Sequence, residues 1–310
     1  MTRFEQISVN AATAGSFDSS GEADLTISHS FGNTKALFAM VYVDDVIAIA
    51  PVTYNNGSVT VGLTGTASGA VCSSDVKVNL IKVHTPPSYS VITSNLELHL
   101  DAGNASSYGG SGTTWTDLSS NSYDFTLAGS PTHNSGDGSF TFDGNSKRAS
   151  NADTITINTG AVEMWIKVNN DSSTGGRVAM QGTSRWISTG NVHGTYGDES
   201  FEANHNTAPT MDYRNGHADF ADGVWRHIVS VVDGSDNKIY VDGVAVSTTF
   251  RIGNASSATM WDGSGNYIGG FSNGSYTFHG EVAVVRMYSG SFTAANVLNN
   301  YNVDKTRFGH

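Results

Sequence analysis

Apolar residues occupy every second position in run after run of this chain, and each run closes on a cluster of Gly, Asn, Asp or Ser. Period-two patterning is what a strand needs to bury one face, and the clusters supply its turns. The stretch 225–246, WRHIVSVVDGSDNKIYVDGVAV, shows the logic in one place. Residues 227–232 are rich in β-branched types, and 238–246 alternate polar with apolar. Between them, Asp233-Gly234-Ser235-Asp236-Asn237 predicts a hairpin loop. Asp242-Gly243 predicts a second, tighter turn, because Asp-Gly tolerates positive φ. The histidine, arginine and aspartates of this stretch thus have a hairpin explanation before they have a catalytic one.

The alternation is broken at VHTPPSYSVIT, residues 83–93, where Pro86-Pro87 stiffens the backbone and forbids helix. This predicts two domains, 1–87 and 88–310. In the first, ADLTISHSF, ALFAMVYVD, VIAIAPVTY, SVTVGLT and DVKVNLIKV read as the strands of a small β-sandwich. In the second, LELHLDAG opens a longer series. Phe140 and Phe142 alternate before Asp143-Gly144, and Val162, Met164, Ile166 and Val168 share one face of GAVEMWIKVN. FTAANVLNNYNVDKTRFG is the one helical pattern, with Ala294/Leu298 and Val297/Tyr301 as i,i+4 pairs along one side.

Composition sharpens the all-β assignment. Charged residues make up only 14% of the 310, Gly accounts for 35, and prolines number five. A net charge of −12 and a pI near 5.1 repel phosphate backbones, so nucleic acid is not an expected partner. Cys72 stands alone and can form no intrachain disulfide. The opening MTRFEQISVNAATAG has no apolar core of a signal peptide, and no apolar run has the length of a membrane span. Synthesis in a reducing cytosol is the expectation.

Two resemblances follow from the order of these motifs. Thr26-Ile27-Ser28-His29-Ser30-Phe31-Gly32, Val41-Tyr42-Val43, Pro51-Val52 and Val59-Thr60-Val61 resemble a small module of phage tail-fibre and baseplate proteins. In the second domain, LHLDAGN, TTWTDLSS, FTFDGN, VEMWIKV, WRHIVSVVDG, IYVDGV, YIGG and GEVAVVRMY stand in an order that resembles the laminin-G-like, concanavalin A-like jelly roll. Its tail, TAANVLNNYNVDKTRFG, is similar to the end of a subgroup common in tailed-phage structural proteins. The resemblance implies two antiparallel sheets packed face to face, one of them concave, with a short C-terminal helix. It further implies a non-enzymatic bacteriophage virion protein: a tail, fibre or capsid-surface component made in the host cytoplasm. Its expected partners are other virion proteins, copies of itself (a trimer by preference) and host-surface glycans. A decoration or cement protein without ligand, and a glycan-degrading enzyme, are the alternatives.

Glycoside hydrolysis requires two carboxylates facing one cleft, and no E-x-D-x-E cluster occurs on one strand. Glu163 lacks an acidic partner at 161 or 165, and the alternation sets it opposite the apolar face, on an outer or concave surface. No G-x-S-x-G elbow or zinc-type Cys/His spacing occurs, and His29 is a lone strand histidine. In relatives of this jelly roll a G-x-I-D-E-V-R run is common; here it is GEVAVVR, with Ala283 and Val284 at the acidic positions. No cofactor is expected. Structural calcium stays open through the oxygens of Asp101, Asn104 and Asp143, whose competing reading is turn and capping hydrogen bonds. For ligand binding, the segment 183–220 stands out. It holds Trp186, His193, Tyr196, His205 and Tyr213 among amides and carboxylates, and reads as a polar, aromatic loop region suited to stacking on sugar rings.

Overall fold

A computed structural model describes residues 88–310 except 144–145, 170–176, 184, 190–199, 206–209, 215–221, 234–236, 253–258 and 275. On the strands Ser200–His205 (Ala203 apart), Thr210–Arg214 and Thr249–Ile252, and throughout residues 1–87, it describes backbone pairing alone. The chain divides into two compact units, Met1–Ser88 and Tyr89–His310.

In the first unit, Arg3–Asn10, Asp75–Lys82, Leu37–Val43 and Val46–Ile47 form one antiparallel sheet in that order. Glu22–Ser28, Ser58–Thr64 and Val52–Asn55 form another. The sequence reading differs in two places. The strand Arg3–Asn10 was not expected, because RFEQISVN mixes polar residues into both faces. VIAIAPVTY, read as one strand, supplies two strands to different sheets, Pro51 lying between them. His29 lies outside the described residues.

The second unit is the expected pair of sheets. One runs Thr132–Asn134, Ser139–Asp143, His279–Ser289, Gly160–Val168, Trp225–Val232, Lys238–Val241, Val244–Val246, with Leu96–Asp101 also paired to His279–Ser289. The other runs Thr249–Ile252, Thr210–Arg214, Ser200–His205, Arg185–Thr189, Arg177–Gln181, Trp261–Ile268, Arg148–Ile157, Phe125–Ala128, Thr114–Trp115. The main core contains Leu98, Phe140, Phe142, Val162, Met164 and Val285 from the first sheet and Phe125, Ala149, Ile187, Ala203 and Ile268 from the second. At about 25 cal/mol per Å² of apolar surface withdrawn from water, such a core is the main term favouring this unit. The opening hairpin forms as read: Trp225–Val232 pairs with Lys238–Val241, and Asp242 (φ 51°) and Gly243 (φ 79°) make the primed turn to Val244–Val246.

The helix Ala294–Asp304 also forms, started by a capping box in which Thr293 Oγ1 accepts from Asn296 N and Asn296 Oδ1 accepts from Thr293 N. Its packed side follows the Val297/Tyr301 pair and not the Ala294/Leu298 pair. Val297, Asn300 and Asp304 are buried, whereas Leu298 is 48% exposed. Two polar residues face the sheet because the sheet offers them partners.

Candidate ligand-binding face

Each sheet has an outer face, and the two are finished differently. Strand Gly160–Val168 is buried on both sides. Val162, Met164, Ile166 and Val168 enter the main core, as the alternation required. Ala161, Glu163 and Trp165 point the other way, where the helix and the residues after it cover them. Phe292 and Val297 pack with Ala161, Val229, Val231, Tyr240 and Tyr288. Phe308 stacks on Trp165 at 4.3 Å between ring centroids and also meets Trp225.

Glu163 is therefore neither concave-surface nor solvent-facing: it is fully buried beneath the helix. Arg286, directly across the strand pair, donates from Nη1 to Glu163 Oε1 (2.6 Å) and to Asp304 Oδ2 (2.8 Å). Asn300 Nδ2 donates to Glu163 Oε2 (2.7 Å) and to the Tyr288 hydroxyl (2.8 Å). His227 Nε2 lies 3.2 Å from Glu163 Oε1. Burial alone would raise the Glu163 pKa, but Arg286 and then the His227 and Asn300 contacts outweigh it and hold the carboxyl down at about 2. Burial likewise disfavours charge on Arg286, and the Glu163 and Asp304 carboxylates overcome it, so its pKa is raised. Tyr288 is raised by burial and by Glu163. A carboxylate met by three side chains beneath a helix is a structural clasp.

His99 is the next residue in that row, paired with Arg286. Burial, reinforced by the Arg286 charge, pushes its pKa down to about 4. A histidine whose folded pKa lies below its unfolded value of 6.5 binds its proton more readily in the unfolded chain. Stability should accordingly decline as pH falls from about 6.5 to 4 and be insensitive to His99 below that. Glu163 adds a second decline between about 4.5 and 2. Denaturation midpoints measured from pH 7 to 4 should fall, and His99→Gln should flatten that portion of the profile. An equally steep profile in the variant would assign the dependence elsewhere.

The outer face of the nine-stranded sheet has a different character. Cross-strand register aligns Trp186, Gln181, Tyr267, Ser150, Thr126 and Thr114 in one row, each directly opposite the next. Trp186, Gln181, Tyr267 and Ser150 are half-buried, and Thr126 and Thr114 are exposed. At the Trp186 end the loop after Trp261–Ile268 folds over the face. Gly269 starts it at φ 96°, and a Cβ there would strike the Phe142 ring. Ser272 N donates to Gln181 Oε1 (2.8 Å), while Phe271 stands edge-on to Trp186 (5.7 Å) and Tyr276 (5.2 Å). Tyr276 is 43% exposed. Between this loop and residues 146–148 lies a pocket of about 240 Å³, lined by Lys147, Arg148, Gly270, Phe271 and Thr277 among others. The face thus combines flat rings, an amide and hydroxyls on a rigid sheet, the groups that stack on sugars and bond their hydroxyls.

A family model described as "Concanavalin A-like lectin/glucanases superfamily", of the laminin-G type, matches residues 134–298. The chain belongs to this family. No curated protein matches it in sequence. Among solved structures, the laminin-G-like unit is similar to the botulinum neurotoxin serotype D binding domain (10% identity, 68% of this chain and 52% of that one, TM-score 0.52). It is also similar to the binding domain of botulinum neurotoxin DC in complex with rat synaptotagmin II (11%, 68% and 52%, TM-score 0.50). Domain 4 of AbnA, a GH43 extracellular arabinanase from Geobacillus stearothermophilus, in complex with arabinotriose, is a third (18%, 67% and 98%, TM-score 0.47). The chain spans about half the length of the toxin domains. At these identities the shared property is the fold.

Within the laminin-G-like unit, the five residues expected to bind ligand are distributed as follows. Trp186 lies on the strand Arg185–Thr189, and the described part of the segment 183–220, read as loop, is mainly sheet: it contributes that strand together with Ser200–His205 and Thr210–Arg214. His205 pairs with Arg185, and Tyr213 with Phe201 opposite Thr189. By register His205 and Tyr213 hold positions alternate to that of Trp186 in the sheet. His193 and Tyr196 lie outside the described residues. Tyr267, Gln181, Phe271 and Tyr276 were not foreseen; the signal available was NYIGGFSNGSYT, where two tyrosines and a phenylalanine flank a glycine-rich turn. The oxygens weighed for calcium have turn and ion-pair roles. Asp101 accepts from Gly103 N and pairs with Arg307 at 2.7 Å, and Asn104 accepts from Ser106 N. Asp143 lies 3.8 Å from Lys147. Among the described residues no three His, Cys, Asp or Glu side chains converge as a metal site would require, and no helix is long and apolar enough to cross a membrane.

Proposed function

We propose that the laminin-G-like unit is a non-catalytic carbohydrate-recognition domain on a tailed-phage particle, a tail, fibre or capsid-surface component, with residues 1–87 as the docking module. The observation that carries the glycan reading is the Trp186–Gln181–Tyr267–Ser150–Thr126 row: a surface of rings, amide and hydroxyls left open on one sheet while the other sheet's outer face is sealed. Similarity in fold to toxin binding domains supports a role in recognition. The particle assignment rests on the sequence resemblances of both domains. In a particle, repeated copies would turn weak single-site affinity into avidity.

Trp186→Ala and Tyr267→Ala, each in the full chain displayed multivalently on beads, should abolish capture of glycans that the wild type binds on an array. Because Trp186 is half-buried, its truncation should also cost about 2 kcal/mol, roughly half the ~3–5 kcal/mol of a core tryptophan. Undiminished capture by both variants would remove the reading. Presence of the chain in gradient-purified particles tests the location, and absence from them overturns it.

One observation favours catalysis as a second reading. Glu202 and Asp212 are direct cross-strand partners, an acidic pair between strands that a search along one strand does not find. If they hydrolyse a bound glycan, oligosaccharide products should accumulate with the wild type and disappear with Glu202→Gln. Stable capture without product supports the binding reading.

A further inference from the structure

The open face carries an electrostatic feature at odds with the rest of the molecule. The chain has a net charge of −12, and among the described residues of the laminin-G-like unit five cations are engaged by carboxylates at 3.4 Å or less. Lys167 meets Glu281 at 2.6 Å, Arg226 meets Asp222 at 2.6 Å, Arg286 meets Glu163 at 2.6 Å, Arg307 meets Asp101 at 2.7 Å, and Arg185 meets Asp262 at 3.4 Å. Lys147 and Arg148 are arranged otherwise. Arg148 donates from Nη1 to the Ser272 carbonyl (3.2 Å) and lies 6.0 Å from the Tyr267 ring centroid, with no carboxylate partner among the described residues. Lys147 is 3.8 Å from Asp143, beyond hydrogen-bonding range, and 3.4 Å from Thr132 Oγ1. Both are half-buried and both line the 240 Å³ pocket, whose opposite wall is the glycine-rich loop with Phe271 and Thr277.

Two adjacent cations, one without a carboxylate partner among the described residues and the other paired only loosely at 3.8 Å, stand beside a ring in a partly enclosed pocket, an arrangement suited to an anion. Partial enclosure strengthens the attraction over its value in open water. The guanidinium presents a planar fork suited to a carboxylate or sulfate, and the ammonium adds a point charge. The pocket is smaller than the roughly 300–1,000 Å³ occupied by drug-sized ligands, which suits one ring and its substituent. Tyr267 links the two features: it belongs to the open row and lies under Arg148.

We infer that this pocket receives the anionic substituent of an acidic sugar, so that the open face selects carboxylate- or sulfate-bearing glycans over neutral ones. The inference rests on the proposed glycan-binding role of that face.

The test uses the full chain on matched oligosaccharides differing in one substituent: neutral, uronate and sulfated. Wild-type protein should bind at least one acidic form about tenfold or more tightly than the neutral form, and that preference should shrink as salt rises from 50 to 500 mM. Arg148→Gln should collapse the acidic-to-neutral ratio towards one, with its melting curve checked against the wild type. Lys147→Gln, which removes a long hydroxyl contact and a 3.8 Å ion pair with the exposed Asp143, provides the same readout should Arg148→Gln fail to fold. The uronate and sulfate arms identify the anion. Equal binding of neutral and acidic forms, or an acidic preference that survives both substitutions, overturns the inference and leaves the glycan reading standing. Binding of no probe at all overturns both.

Discussion

Arg286→Met is expected to lower the unfolding free energy of the laminin-G-like unit by about 3–5 kcal/mol, the usual cost of leaving a buried charge without its partner. The substitution preserves much of the side-chain volume, so the loss is electrostatic and not a cavity effect. It strands Glu163 and Asp304, both buried, in a site where neither can be hydrated. Glu163→Gln should cost less, because an amide can still bond Asn300 while Arg286 keeps Asp304. All five tryptophans, at 115, 165, 186, 225 and 261, belong to this unit, so urea unfolding followed by tryptophan fluorescence reads it separately from residues 1–88. A shift in midpoint without a change in slope is the expected signature. A stability equal to that of the wild type would show that the clasp contributes nothing.

The second large effect concerns what the clasp holds down. A chain ended after Ser291 lacks Phe292, Val297, Asn300, Tyr301, Asp304 and Phe308, and with them the cover of one sheet. Ala161, Val229, Val231, Tyr240, Tyr288, Trp165 and Val284 then lose their cover, beside a Glu163–Arg286 pair deprived of Asn300 and Asp304. Patches beyond a few hundred Å² drive association. The truncated protein should therefore be recovered as aggregates, or as a species that binds hydrophobic dye strongly. Size-exclusion chromatography decides it: a monodisperse peak with native tryptophan emission would show that the helix is dispensable.

What the sequence disclosed, and what it withheld, follows from which face of each strand has a second neighbour. Val162, Met164, Ile166 and Val168 were legible as core because one layer of partners suffices to explain them. Glu163 and Trp165 were not, since period two assigns their face to solvent unless something distant in sequence covers it. The cover is the helix, and its buried side includes Asn300 and Asp304, which an apolar pattern cannot find. The hairpin at 225–246 was legible to the turn, as Asp242-Gly243 leaves few alternatives. For the candidate site, Trp186 was singled out by residue type. Its neighbours in the row were not, because they come from five other strands and only register brings them together. The 183–220 segment read as loop because polar residues interrupt each of its strands, RWIST, SFEANH and TMDYR, and leave no apolar alternation to find. Lys147 and Arg148 look like ordinary surface cations until the charge partners of the others are known.

The covering helix also imposes an order on biosynthesis. Strands Gly160–Val168 and Trp225–Val232 leave the ribosome well before residues 292–310, and Leu96–Asp101 must wait for His279–Ser289 to find its edge partner. For that interval the two central strands can settle only one of their faces. Nascent chains of this unit should be most vulnerable to misassociation between the emergence of residue 232 and that of residue 308, a window in which a chaperone that shields apolar surface would raise the yield of folded protein.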